Sequence, residues 1–191
     1  MTQSRVVNIY LEANPNPNSL KFVVNFMLMP EGVSQDFPDQ ESAANAPLAH
    51  ELFNFPYVKR VFYMSNFVTI TKDESKEWEE IKYELKDHIK NYLEADKPLL
   101  TNEIAGRNEI NENDTEAEKK IKGILDEYIR PAVEQDGGAI TFHSFDEGKV
   151  KVLLQGSCSG CPSSTITLKA GIENLLKRMV PEVEEVIAEG V

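Results

Sequence analysis

Apolar positions recur along the chain with two different periods, and the places where the period changes divide it into elements. Val6–Leu11 and Lys21–Leu28 are strand-like runs separated by Asn14–Pro15–Asn16–Pro17–Asn18, a turn in which proline sets φ and asparagine tolerates turn conformations. A loop containing Gly32, Pro38 and several small residues follows, then a short helix over Pro47–Asn54 with Leu48, Leu52 and Phe53 on one side. Val58–Tyr63 and Phe67–Thr71 pattern as a hairpin around Met64–Ser65–Asn66. From Ser75 to Leu93 the period lengthens: Trp78, Ile81, Leu85, Ile89 and Tyr92/Leu93 fall at helical spacing, with acids and lysines between them.

Periodicity then lapses. Residues 95–114 are polar, contain Pro98 and Gly106, and end at Asp114/Thr115, residue types that cap a helix start. After this expected linker, Glu116–Arg130 carries an apolar stripe of Ile121, Ile124/Leu125 and Tyr128/Ile129, which Pro131 and then Gly137–Gly138 end or interrupt. Ile140–Phe145 and Lys149–Gln155 pair across Asp146–Glu147–Gly148. A helix over Pro162–Met179 and a closing strand over Val183–Ile187 complete the pattern. The fold expected is α+β. Two small domains, 1–94 and 115–191, each pack a small sheet with helices, and the second runs α-β-β-α-β.

Composition narrows the functional classes. There are 32 acidic and 20 basic residues, a net charge of −12. Residues 1–114 hold nineteen acids against eleven bases, and residues 115–191 thirteen against nine. Neither half offers the clustered Lys and Arg that a phosphate backbone or an anionic membrane needs. No run reaches the ~18–20 apolar residues of a membrane span. Met1–Arg5 leads straight into a strand-like run, without the basic-then-apolar or Arg/Ser-rich pattern of a leader. The expectation from these features is a soluble, cytoplasmic protein with no nucleic-acid or membrane partner.

The chain has two cysteines, and both lie in Cys158–Ser159–Gly160–Cys161. A disulfide between residues three apart closes almost no loop, so this spacing suits metal ligation or redox exchange better than a structural staple. Cys158 leaves a strand end. Cys161 precedes Pro162, a residue favoured at the first helical position, so it sits where helix N–H groups and partial positive charge stabilise a thiolate. Gly160 permits a sharp turn, and Ser157, Ser159, Ser163 and Ser164 keep the loop polar. Two thiolates make a half-site, because iron–sulfur and structural zinc centres take four ligands. His50, His88 and His143 are scattered and are not read as ligands. A centre on the two-fold axis of a homodimer would supply the missing pair. A dithiol oxidoreductase and a zinc-bridged structural dimer are open to the same motif.

The residues around the loop carry a resemblance. Ile129–Arg130–Pro131–Ala132–Val133–Glu134–Gln135–Asp136–Gly137–Gly138, then Leu154–Gln155–Gly156–Ser157–Cys158–Ser159–Gly160–Cys161–Pro162–Ser163–Ser164–Thr165, closely resemble the C-terminal NifU-like domain of Nfu proteins. Lys169–Glu173 and Val180–Val183 continue the match. Ala139 departs from it, since the family often has an acid there. Glu12–Phe22, Pro47–Ala49 with Leu52–Phe53, and Phe67–Lys72 resemble the Nfu N-terminal domain. The resemblance implies a carrier, not an enzyme, that holds a [4Fe–4S] cluster between two subunits through Cys158 and Cys161. It implies a cluster donor and apo-protein clients as partners, with the first domain as a docking module.

Overall fold

The computed structural model of the chain describes residues 5–102, 110–159 and 162–190, the side chains of residues 162–164 excepted. The chain divides into two compact units, Met1–Ala105 and Gly106–Val191. Both are α+β, as expected, each a sheet packed with helices.

The first unit is a five-stranded antiparallel sheet of order β1-β2-β5-β4-β3, built from β1 (Ile9–Ala13), β2 (Ser19–Val24), β3 (Ser34–Phe37), β4 (Val58–Met64) and β5 (Phe67–Lys72). Helices α1 (Pro47–Leu52) and α2 (Trp78–Glu94) bury Leu48, Leu52, Ile81, Leu85 and Ile89 in one core with Phe22, Tyr63 and Ile70 of the sheet. Asparagines build the β1–β2 turn as the sequence suggests. Asn14 Oδ1 accepts from the Asn16 N–H at 3.0 Å and the Ser19 hydroxyl at 2.8 Å, and Asn16 Oδ1 accepts from the Asn18 N–H at 3.0 Å.

Several elements of this unit differ from the sequence reading. β1 starts at Ile9 rather than Val6, because Asn25 takes over there: its side chain accepts from the Asn8 N–H at 2.9 Å and donates to the Val6 carbonyl at 3.2 Å. β2 stops at Val24, and the N–H groups of Leu28 and Met29 turn to the Ser65 carbonyl, 2.7 and 2.9 Å away. β3, Ser-Gln-Asp-Phe, lies in the stretch read as loop; it is a short edge strand with too little apolar alternation to announce itself. Part of the expected linker also packs on this unit. Leu99 and Leu100 lie against its core, the Tyr92 hydroxyl donates to the Pro98 carbonyl at 2.7 Å, and the Thr101 N–H reaches the Asn45 carbonyl at 2.9 Å.

The second unit opens with α3 (Glu116–Ile124), capped reciprocally: the Glu118 N–H donates to Thr115 Oγ1 at 3.2 Å, and the Thr115 N–H to Glu118 Oε2 at 2.7 Å. Pro131 interrupts this helix without ending it. A π-helical turn over Leu125–Ile129 absorbs the missing proline N–H, and α4 (Arg130–Gln135) resumes. Strands β6 (Gly138–Asp146) and β7 (Lys149–Gly156) form an antiparallel hairpin, in whose turn Glu147 and Gly148 both adopt positive φ, 46° and 76°. That is the backbone a tight two-residue hairpin turn requires. α5 (Pro162–Met179) then crosses over to β8 (Glu185–Gly190), which runs parallel to β7. The core between sheet and helices is largely aliphatic: Ile121, Leu125, Val152, Leu154, Ile172 and Leu176 are fully buried. Among the described residues no helix is long and apolar enough to cross a membrane.

Candidate metal-binding loop

β7 ends at Gly156, whose φ of +65° turns the chain back toward the start of β6. Such an angle is open to glycine at little cost and strained for a side chain. The loop is then held mostly by main-chain atoms. The Ser157 N–H donates to the Gly137 carbonyl at 3.3 Å, the Ser157 hydroxyl donates to the Asp136 carbonyl, and the Ser159 N–H returns to the Gly156 carbonyl at 3.1 Å. From the other side, Thr165 in the first turn of α5 donates its hydroxyl to the Cys158 carbonyl at 3.4 Å. Asp136, Gly137 and Thr165 therefore fix where Cys158 sits.

Gly138 is the tightest element of the arrangement. A Cβ there would lie 2.6 Å from the Gln155 carbonyl oxygen, 2.8 Å from Cys158 Sγ and 3.2 Å from Cys158 Cβ. Only a residue without a side chain lets β6 run so close beneath the cysteine. Cys158 itself is 5% exposed and joins the aliphatic core. Within a loop whose serines make it polar, the structure turns this sulfur inward, because the glycine leaves a space that the thiol fills.

Cys161 and Gly160 lie outside the described residues, and so does any approach of Cys161 to Cys158. α5 begins at Pro162, where the sequence places it. Among the described residues no three His, Cys, Asp or Glu side chains converge on a point that could hold a metal. His143 is exposed at the bulge of β6. His88 lies in the first unit, with Nε2 3.1 Å from Glu51 and its ring edge-on to Phe55 at 5.5 Å; His50, also in that unit, is exposed. The sequence reading treats Gly137–Gly138 as a helix terminator and gives Thr165 no role. Two glycines at a strand start were the available sign of a close approach, and nothing local marks Thr165.

Glu173 braces the same region from the far side of α5. Its carboxylate accepts from Lys177 Nζ at 2.7 Å and from the Val186 N–H of β8 at 3.1 Å. Both bonds, the lysine's first, hold its pKa below the ordinary glutamate value. Helix and strand are thus tied together next to β7, the strand that carries the loop.

Comparison with known proteins places this arrangement. Residues 9–96 match the family described as scaffold protein Nfu/NifU N terminal, and residues 121–187 match the NifU-like domain. The chain is 43% identical over 183 residues to the NFU1 iron-sulfur cluster scaffold homolog, mitochondrial, of Drosophila willistoni, covering 95% of this chain and 63% of that protein. The Drosophila ananassae protein of the same name is 41% identical over 187 residues, covering 97% and 65%. The chain thus spans slightly less than two thirds of the length of these curated relatives. The solution NMR structure of a NifU-like protein from Saccharomyces cerevisiae overlays 54% of this chain and 92% of its own, at 25% identity and a TM-score of 0.47.

These relatives correct the expectation of a cytoplasmic protein, since they are named mitochondrial. That expectation leaned on the residues at the start of the sequence. A targeting leader is an address read by an import machinery and adds nothing to the fold, so neither the packing nor the core composition bears on it. With both of its folded units matched in order, from Ile9 to Asp96 and from Ile121 to Ile187, the chain belongs to the Nfu family, an Nfu/NifU N-terminal domain followed by a NifU-like domain.

Proposed function

We propose that this chain is a mitochondrial iron–sulfur cluster carrier whose cargo, a [4Fe–4S] cluster, is held between two copies of the chain by Cys158 and Cys161 of each. The observation that carries the reading is the seat of Cys158. A glycine lies beneath its sulfur, and hydrogen bonds to the Asp136 and Gly137 carbonyls and from the Thr165 hydroxyl hold its loop. The scaffold names of the relatives and the C-x-x-C spacing support it. Two thiolates per chain leave a four-thiolate cargo half ligated, so a second copy supplies the rest.

Loading on this reading includes an outward turn of Cys158, away from Gly138. Release is ligand exchange: thiolates of an apo-protein replace those of the carrier one iron–sulfur bond at a time, with no change in oxidation state. The chain acts as a carrier and not as a catalyst. The first domain, which has no cysteine, is the docking module for donor or client.

Anaerobic reconstitution with iron and sulfide tests the proposal, followed by iron, sulfide and mass determination. The expected product is a coloured dimer with about two irons per chain. Cys158→Ser and Cys161→Ser each abolish loading while leaving the circular dichroism spectrum intact. A colourless protein that takes up zinc, or a single mutant that keeps a stable cluster, would overturn it.

A further inference from the structure

Ile166 is 70% exposed, although most aliphatic residues of its unit lie in the core. It stands on α5 next to Thr165, whose hydroxyl holds the Cys158 carbonyl at 3.4 Å. Further along the same outward side, Ala170 and Asn174 are also exposed, while Ile172 and Leu176 are buried on the inward side. From Ile166 to Asn174, a little over two turns, the outward side therefore carries no fully exposed charge, with half-buried Lys169 and Glu173 along its edge and Lys177 beyond it.

Symmetry gives this face a partner. The argument rests on the shared-cargo reading above: if thiolates from two copies meet on one cluster, the two-fold axis passes through it. α5 begins at Pro162, directly after Cys161, and a helix rises 1.5 Å per residue, so Ile166 lies only about 6 Å along the helix from its start. A second copy that delivers its own thiolates to the cargo must approach this part of α5. Near a two-fold axis a residue meets its own copy. An exposed isoleucine there loses water on assembly, whereas a charge would be doubled and desolvated. We infer that the outer face of α5 headed by Ile166 is where the second copy seats, so that assembly closes apolar surface around the cargo.

The test uses the full chain, loaded anaerobically with iron and sulfide and analysed by sedimentation. Ile166→Asp and Ala170→Glu are compared with Tyr83→Asp, a control at a 61% exposed side chain of the first unit. The wild-type chain and the control load as dimers. The two α5 variants keep the circular dichroism spectrum, because the replaced side chains are exposed, and raise the dimer dissociation constant about tenfold or more. If Ile166→Asp loads and dimerises like the wild type, the seat is elsewhere while the shared cargo stands. If the wild-type chain loads as a monomer, the shared-cargo reading and this inference fall together.

Discussion

The two units solve different problems with similar elements. In the first, β2 buries all six of its residues, and aromatic side chains do much of the filling: Phe22, Phe62 and Tyr63 are fully buried, and Phe37 meets Tyr63 edge-on at 5.1 Å. Even Lys21 is buried there, with Nζ 3.1 Å from Glu12 and 4.4 Å from the Phe67 ring centroid. The second unit has a three-stranded sheet and an aliphatic core that includes Cys158. Its distinctive contacts are main-chain bonds around the loop and a glycine in place of a side chain. One unit invests in packing and the other in positioning a single sulfur. On the carrier reading proposed above, a sulfur that must change partners is better held by its backbone than by interlocked side chains, because it can turn while the loop stays anchored.

That contrast breaks most visibly at Phe22, which is fully buried between Leu11 and Val68 across the sheet. Phe22→Ala should destabilise the first unit by about 3–5 kcal/mol. Urea unfolding followed by the fluorescence of Trp78, the chain's single tryptophan, reads that unit. Cluster loading at low temperature should persist, since the cysteine loop belongs to the other unit.

Gly138→Ala probes the opposite strategy. Its Cβ would press on the Gln155 carbonyl and on Cys158 Sγ, both under 3 Å away, so a cost of about 1–3 kcal/mol is expected. The reconstituted protein should also hold less iron per chain than wild type. Unchanged stability together with full loading would mean that the close approach is irrelevant to the loop.

The acid limb of stability sharpens the comparison further, through the pair that fastens the start of the second unit. Lys122 Nζ lies 2.6 Å from Asp114 Oδ2, both side chains are largely buried, and the lysine also faces the Phe142 ring at 5.3 Å. This lysine first, and the Asn111 N–H second, hold the Asp114 carboxyl below its ordinary value. A depressed carboxylate stabilises the fold fully above its unfolded pKa, about pH 4, and that contribution fades as pH falls through the lower folded value. Lys122→Met should therefore lower the urea midpoint at pH 7 and converge on wild type near pH ~2. Equal gaps at both pH values would show that the lysine acts by packing alone.

The smallest effect lies at Gly123 in α3, where an added Cβ meets nothing within 4 Å. Gly123→Ala should stabilise the second unit by roughly 0.5–1 kcal/mol through helix propensity. Thermal unfolding would register it as a modest rise in midpoint with no change in loading.

Local chemistry made much of this molecule legible. The helical stripe of Ile81, Leu85 and Ile89, the β4–β5 and β6–β7 hairpins, the Asn-Pro turn and the start of α5 at Pro162 each follow from residues within a few positions of one another. The two cysteines and their C-x-x-C spacing are also read directly from the sequence. Tertiary structure alone decided that Ser34–Phe37 is a strand, that a π turn accommodates Pro131 so that the helix resumes, and that Cys158 points inward over Gly138. The division has one physical cause. Turns, caps and amphipathic stripes are set by neighbours in the chain, whereas an edge strand or a sulfur's seat depends on atoms brought together from distant positions.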